Sequence, residues 1–179
     1  MICILSYYKY TDKQKEELLK SICILIDTRE KSNKWITDYF NEKSIPYKSK
    51  ALSGGDYSFY LPKNEELSIS RDMYFDKEIV IERKANLEEL SNNLSKERDR
   101  FEKELSLFKG KMFLLIECAD YSDIYLNNYD TQYNKKSFLG SLHSFTYKYN
   151  IGIMFMPKKE CSGVYLFCTF YYFLKSLLH

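Results

Sequence analysis

Hydrophobic positions along this chain keep two rhythms. Ile22-Cys23-Ile24-Leu25-Ile26 and Met112-Phe113-Leu114-Leu115-Ile116 are unbroken apolar runs of the kind that form strands covered on both faces. Tyr57, Phe59 and Leu61 alternate with Asp56, Ser58 and Tyr60, following a turn at Gly54-Gly55, and Glu78 to Lys84 reads as a further strand. Pro46 opens another strand region, and Ile151 to Met156 is a last short one. Between them the spacing becomes helical. Thr11 to Lys20 predicts a short polar helix, with Thr11 or Asp12 as N-cap and Leu18 and Leu19 turned inward. Ser32 caps a helix through about Phe40 that carries Trp35, Ile36, Tyr39 and Phe40. Asn86 caps one long helix whose stripe of Leu87, Leu90, Leu94, Phe101, Leu105 and Phe108 ends at Gly110. Lys136 to Tyr149 is a helix with Phe138, Leu142, Phe145 and Tyr149 inward, and Cys161 to Leu178 the last one. Pro62 to Lys77 reads as a loop or hairpin extension, and Asp120 to Tyr133 as a polar, aromatic loop. Buried strands alternating with helices predict an α/β fold with a central mixed β-sheet flanked by helices.

Length and charge narrow the picture. A chain of 179 residues, 45% hydrophobic and 29% charged, fits one domain and is too apolar for disorder. The expected layout is a helical extension over residues 1–21, a core over 22–157 and a C-terminal helix over 158–179. With 27 Lys and Arg against 25 Asp and Glu, the +2 balance gives no general attraction to a polyanion, so any nucleic-acid binding is local. Cys3, Cys23, Cys118, Cys161 and Cys168 show neither paired metal spacing nor a disulfide framework, which indicates reduced thiols and a cytoplasmic setting. No basic leader precedes a cleavage site, and the apolar run Val164 to Leu174 closes at Lys175, short of the roughly 20 residues a bilayer needs. No membrane association is expected. Richness in Lys, Asn, Ile and Tyr hints at an AT-rich genome, such as that of a low-GC bacterium or its phage.

The chemistry concentrates at strand ends. Glu82 and Lys84 lie two apart on one strand and so share a face, placing a carboxylate beside an ammonium. Mg²⁺ or Mn²⁺ takes oxygen ligands and needs few protein carboxylates, which Asp56 and Glu82 can supply. Lys84 is then placed to orient or deprotonate an attacking water. Asp27 ends a buried strand and Glu30 follows three residues later; convergence of Asp27, Glu30, Asp56 and Glu82 would repel strongly without a cation. Each piece alone has a plain structural reading: E-x-K as a cross-strand ion pair, Gly-Asp as a turn-to-strand junction. Their order in one chain is what points to a site.

Ile26-Asp27-Thr28-Arg29-Glu30, Gly55-Asp56-Tyr57 and Ile81-Glu82-Arg83-Lys84, continuing through Arg98-Asp99-Arg100-Phe101 and Leu115-Ile116-Glu117, resemble the nuclease domain of the XPF-type structure-specific endonucleases, within the restriction-endonuclease-like superfamily. The resemblance covers about residues 22 to 157. It implies a restriction-endonuclease-like core, a catalytic set of Asp27, Glu30, Asp56, Glu82, Arg83 and Lys84, a metal site of Asp27, Glu30, Asp56 and Glu82 for Mg²⁺ or Mn²⁺, and DNA as substrate. The family pattern has an Asp four residues after the lysine, where this chain has Glu88. Such nucleases often carry a helix-hairpin-helix module or a helicase; this chain is expected to be a bare nuclease domain, a bacterial or phage stand-alone version, with a helicase or other DNA-targeting protein as a possible partner. The last helix is apolar nearly all round, an excess that a dimer interface would explain, and the resemblance implies a homodimer through this domain. Arg98 either touches the scissile phosphate or forms an ion pair, and Arg100 with Lys96 and Lys103 either tracks a phosphate backbone or forms a solvated face. His143 and His179 lack a metal-like neighbour, the tyrosines of 121–133 are assigned no role, and no element reads as a base-reading helix. The expected activity is therefore metal-dependent endonucleolytic cleavage of branched or flapped DNA, in repair, recombination or replication. The alternatives are an inactive nuclease-like DNA-binding subunit and a sequence-specific restriction-type enzyme.

Overall fold

A computed structural model describes Leu5 and residues 8–178 of the chain. Cys3 and His179 therefore lie outside the described residues. The elements run α1 (Asp12–Lys20), β1 (Cys23–Ile26), α2 (Lys34–Glu42), β2 (Tyr47–Ser49), β3 (Tyr57–Leu61), β4 (Met73–Tyr74), β5 (Ile79–Lys84), α3 (Leu87–Leu94), α4 (Arg98–Leu107), β6 (Lys111–Glu117), α5 (Tyr121–Leu126), α6 (Lys135–Tyr149), β7 (Ile151–Met156) and α7 (Ser162–Leu177). The strands form one mixed seven-stranded sheet in the order β2-β1-β3-β5-β6-β7, with β4 paired to the far end of β3. β3 runs antiparallel to both β1 and β5, whereas β5, β6 and β7 are parallel. The expected α/β core with a mixed central sheet is what the chain adopts.

Strand alternation sends side chains to two separate cores. On one side Ile24, Ile26, Tyr57, Phe59, Ile79 and Ile81 pack with residues of α1, α2 and α7, among them Leu18, Phe40, Leu166 and Phe170. On the other, Val80, Met112, Leu114 and Ile116 pack with Leu90 of α3, Phe101 of α4 and Phe138 and Phe145 of α6. α1 and α7 thus close the first core instead of lying outside it. α7 buries Leu166, Phe170 and Leu174 and leaves Val164, Cys168 and Tyr172 outward. Among the described residues no helix is long and apolar enough to cross a membrane.

The structure departs from the sequence pattern at particular places. The single long helix expected from Leu87 to Phe108 is two, because the chain leaves helical geometry at Ser95 (φ −119°, ψ −84°). Ser95 Oγ donates to the Ser91 carbonyl at 2.6 Å and the Glu97 amide reaches back to the Asn92 carbonyl, so a side chain and a wide turn take bonds that a continuous helix would use. The segment expected as a loop from Asp120 contains α5, started by a capping box between Asp120 and Asp123. Helix α2 begins after Asn33, not Ser32, and Asn33 makes no side-chain cap bond. Thr11 does cap α1, with Gln14 returning the bond. Of the Pro62 to Lys77 segment, Met73 and Tyr74 extend the β3 hairpin.

Candidate active site

The site is built where β1 and β5 end and β3 begins, on the α3/α4 side of the sheet. Gly55 makes the approach possible. Its φ of +67° is a left-handed conformation, and a Cβ there would meet Val80 Cβ at 2.8 Å and the Ile81 carbonyl at 3.2 Å. The next residue, Asp56, is locked by its backbone, its amide donating to Ile81 O and its carbonyl accepting from the Asp27 amide. Its carboxylate accepts from the Arg83 amide at 2.8 Å. Asp56, Glu82 and Lys84 line a cleft of about 320 Å³ together with Arg29, Asn93 and Arg100. Arg29, Asp56, Glu82 and Lys84 also line a second opening on the side of Glu30, Lys31 and Glu89.

Within this cleft the charges are strongly coupled. Lys84 Nζ donates to Glu82 Oε1 at 2.8 Å, sits 3.8 Å from Glu89 and lies 5.0 Å from the centre of the Phe101 ring. Burial works against its charge, but Glu82, Glu89 and Asp56 outweigh it and hold the ammonium above its usual pKa. Asp56 is pushed the other way. Burial first, then the neighbouring Glu82 and Glu30, raise its pKa to about 8 against the lowering effect of the Arg83 amide and Lys84. A carboxyl so placed beside a second acid is deprotonated readily only when a cation joins it.

The other predicted residues are held by partners of their own. Asp27 is 1% exposed, and its oxygens accept from the Arg29 amide and Nε (2.9 and 2.7 Å) and from the Leu52 amide at 2.7 Å. Burial would raise its pKa, and these donors override it so that Asp27 stays below the usual carboxylate range. Glu30 accepts from Arg83 Nε and a terminal nitrogen at 3.1 Å each, and from the Ser32 amide. Arg83 alternates with Lys84 and so points to the α2/α7 side, where its guanidinium also donates to Glu117 at 2.8 Å and faces the Trp35 ring. Among the described residues no three His, Cys, Asp or Glu side chains group closely enough to hold a metal. Of the four acids expected at a metal, Asp27 and Glu30 have donors on both oxygens, whereas Asp56 and Glu82 line the cleft together with one donor each. That pair fits a hard divalent cation: both are oxygen donors, and each keeps an oxygen without a hydrogen-bond partner among the described residues.

Of the expected DNA contacts, Arg98 turns away from the cleft to Glu102, Ser141 and the Leu94 carbonyl. Arg100 lines the cleft, two-thirds exposed and paired with Glu97 and Glu104. Glu88, at the position where the family has Asp, accepts from the Asp130 amide and tethers the 127–134 segment instead of entering the cleft. His143 meets the Tyr121 hydroxyl at 3.1 Å, and Tyr129 and Tyr133 pack around Phe138. Two residues named in the sequence only as parts of motifs, with no role of their own, have clear ones in the structure. Arg29 holds Asp27 with Nε yet leaves its side chain 68% exposed at the cleft mouth, and its place two residues beyond a strand-end Asp was the available signal. Glu117, 1% exposed, accepts from Arg83, Trp35 Nε1 (2.9 Å) and the Ser162 hydroxyl; an acid ending an otherwise apolar strand could have marked it.

A family model described as the ERCC4 domain matches residues 26–168. Among solved structures, XPF from Aeropyrum pernix in complex with DNA superposes with a TM-score of 0.57 at 15% identity, covering 87% of this chain and 62% of that one. A second structure of XPF from the same organism gives 0.55 at 15% identity, covering 87% and 63%. The chain thus spans about three-fifths of the length of these solved relatives. No curated protein sequence matches it significantly.

Proposed function

From the premise that the chain belongs to the ERCC4 domain family, the nuclease-domain family of XPF-type proteins, we propose that it is a divalent-metal-dependent DNA endonuclease. The observation that carries this is the convergence of the Asp56 and Glu82 carboxylates, the Lys84 ammonium and the exposed Arg29 guanidinium on one cleft. Asp56 and Glu82 would hold Mg²⁺ or Mn²⁺, and such an ion, when bound, supplies an activated water and neutralises charge on the phosphate. Lys84, kept charged by its acid neighbours, donates a hydrogen bond toward the attacked phosphate or its water. Arg29 offers its free terminal nitrogens to a phosphate oxygen, and Arg100 borders the strand's path along the cleft. No element reads from the sequence as a base-reading helix, and the proposed substrate is DNA selected by structure: a flap, branch or other junction with single-stranded character, as arises in repair, recombination and replication. The outward Val164, Cys168 and Tyr172 of α7 are the proposed homodimer face, and a helicase or other DNA-targeting protein is the proposed partner.

The test is cleavage of a labelled flap and of a plain duplex with Mg²⁺. Flap cutting that EDTA and Asp56→Asn both abolish supports the reading. Cutting that persists in EDTA overturns it, and discrete fragments from plain plasmid DNA would place the chain with sequence-specific enzymes. A second reading, a non-cutting subunit that positions DNA, draws on the absence of a three-acid group among the described residues. Calorimetry with Mn²⁺ separates the two, since the second predicts no heat that Glu82→Gln removes.

A further inference from the structure

Arg83 joins the two sides of the sheet through one residue. Its backbone amide holds the Asp56 carboxylate at 2.8 Å in the cleft, while its side chain, 6% exposed, is anchored behind the sheet. Two carboxylates share that anchor: Glu30 grips one edge of the guanidinium and Glu117 takes a terminal nitrogen at 2.8 Å. Glu117 is itself fixed by the Trp35 indole of α2 and by the hydroxyl of Ser162, the first residue of α7. Gly163 packs so closely that a Cβ there would lie 2.7 Å from the Tyr39 ring, leaving the start of α7 little freedom against α2.

We propose that Glu117 is a positioning residue for the cleft: by fixing the Arg83 side chain it fixes the Arg83 amide, and through that amide the orientation of Asp56. This rests on the reading of Asp56 as part of an active site. A buried guanidinium with several donors cannot drop one carboxylate without seeking another acceptor, so loss of the Glu117 charge lets Arg83 re-aim toward Glu30 and drags the β5 terminus with it. Glu117 touches neither cleft nor substrate, so its removal changes the turnover of bound DNA and not its binding.

The experiment compares Glu117→Gln, which keeps size and one acceptor, with Phe145→Leu, a core variant on the other side of the sheet with lowered stability. Two readouts are taken below both melting points: kcat and KM on flap DNA, and the Arg83 backbone amide resonance with its solvent-exchange rate. The expected result for Glu117→Gln is kcat lower by about 10–100-fold, the scale seen when the orienting partner of a reactive ligand is lost, with KM within about twofold. The Arg83 amide should shift and exchange faster. Phe145→Leu should do neither. Trp35→Phe, which removes one donor from Glu117 with little risk to folding, should move both readouts in the same direction by a smaller factor. Wild-type kcat and an unmoved amide in Glu117→Gln overturn the inference, as does a fall in kcat with an unmoved amide. If the wild-type chain cuts no DNA, the proposed activity fails while the Arg83 amide still decides the coupling between Glu117 and Asp56.

Discussion

The end of β5 presents two environments a single residue apart. Glu82 and Lys84 face an open cleft where a carboxylate keeps an unpaired oxygen and Asp56 is pushed to a pKa of about 8. Arg83 between them faces a network in which Glu30 and Glu117 take its guanidinium and Trp35 and Ser162 in turn hold Glu117. The same strand therefore holds a reactive, incompletely satisfied group and its mounting. The lesson is one of partner number: charges left short of partners remain available for a cation or phosphate, whereas charges with full shells hold the chain in place.

The comparison predicts opposite outcomes for mutations on the two sides. The largest effect belongs to the cleft: Asp56→Asn or Glu82→Gln should lower single-turnover flap cleavage by on the order of 10³-fold while leaving the melting temperature unchanged or raised. Next, Arg83→Met should cost about 3–5 kcal/mol, because it leaves two buried carboxylates without their cation. At roughly 2–4 °C per kcal/mol this lowers the melting temperature by about 10 °C in a thermal scan. If Glu82→Gln destabilises as much as Arg83→Met, the distinction between the two sides fails.

A smaller effect sharpens it through pH. With metal removed, Asp56 in the folded chain keeps its proton up to about 8, whereas the unfolded group releases it at 3.8. The raised pKa means that the contribution of Asp56 to stability is fully present below 3.8 and is lost as pH rises through about 8. Chemical denaturation in EDTA across that window should show wild-type stability falling relative to Asp56→Asn, a difference that saturating Mn²⁺ removes. The smallest effect is at Arg100, which is exposed and shared with two glutamates: Arg100→Gln should weaken flap binding about 2–5-fold and reduce the salt slope by about one.

Much of the fold was legible because period-2 and period-3.6 patterns report which face is buried. Alternation alone placed Glu82 and Lys84 together and put Asp56 opposite Phe59. The helix break was not legible, since Ser95 turning its hydroxyl onto Ser91 competes with a hydrophobic stripe that continues across the gap. α5 was hidden by its brevity, although the Asp120 and Asp123 capping pair was visible. Least legible was the use of the acids. Glu30 meets Arg83 across 53 positions, and Glu117 meets Trp35 across 82. No local pattern states that Arg83 takes both oxygens of Glu30 while Glu82, bonded to Lys84 through one oxygen, faces the cleft.

Trp35 is the chain's only tryptophan, its indole N–H bonded to Glu117 and its ring flanked by Arg83 and by Lys159 at 4.4 Å. Charges this close should shift its emission, which makes Trp35 a candidate optical reporter behind the cleft. Events at Asp56 that disturb Arg83 can then be followed in unlabelled protein as a change in colour or brightness, on the timescale of mixing.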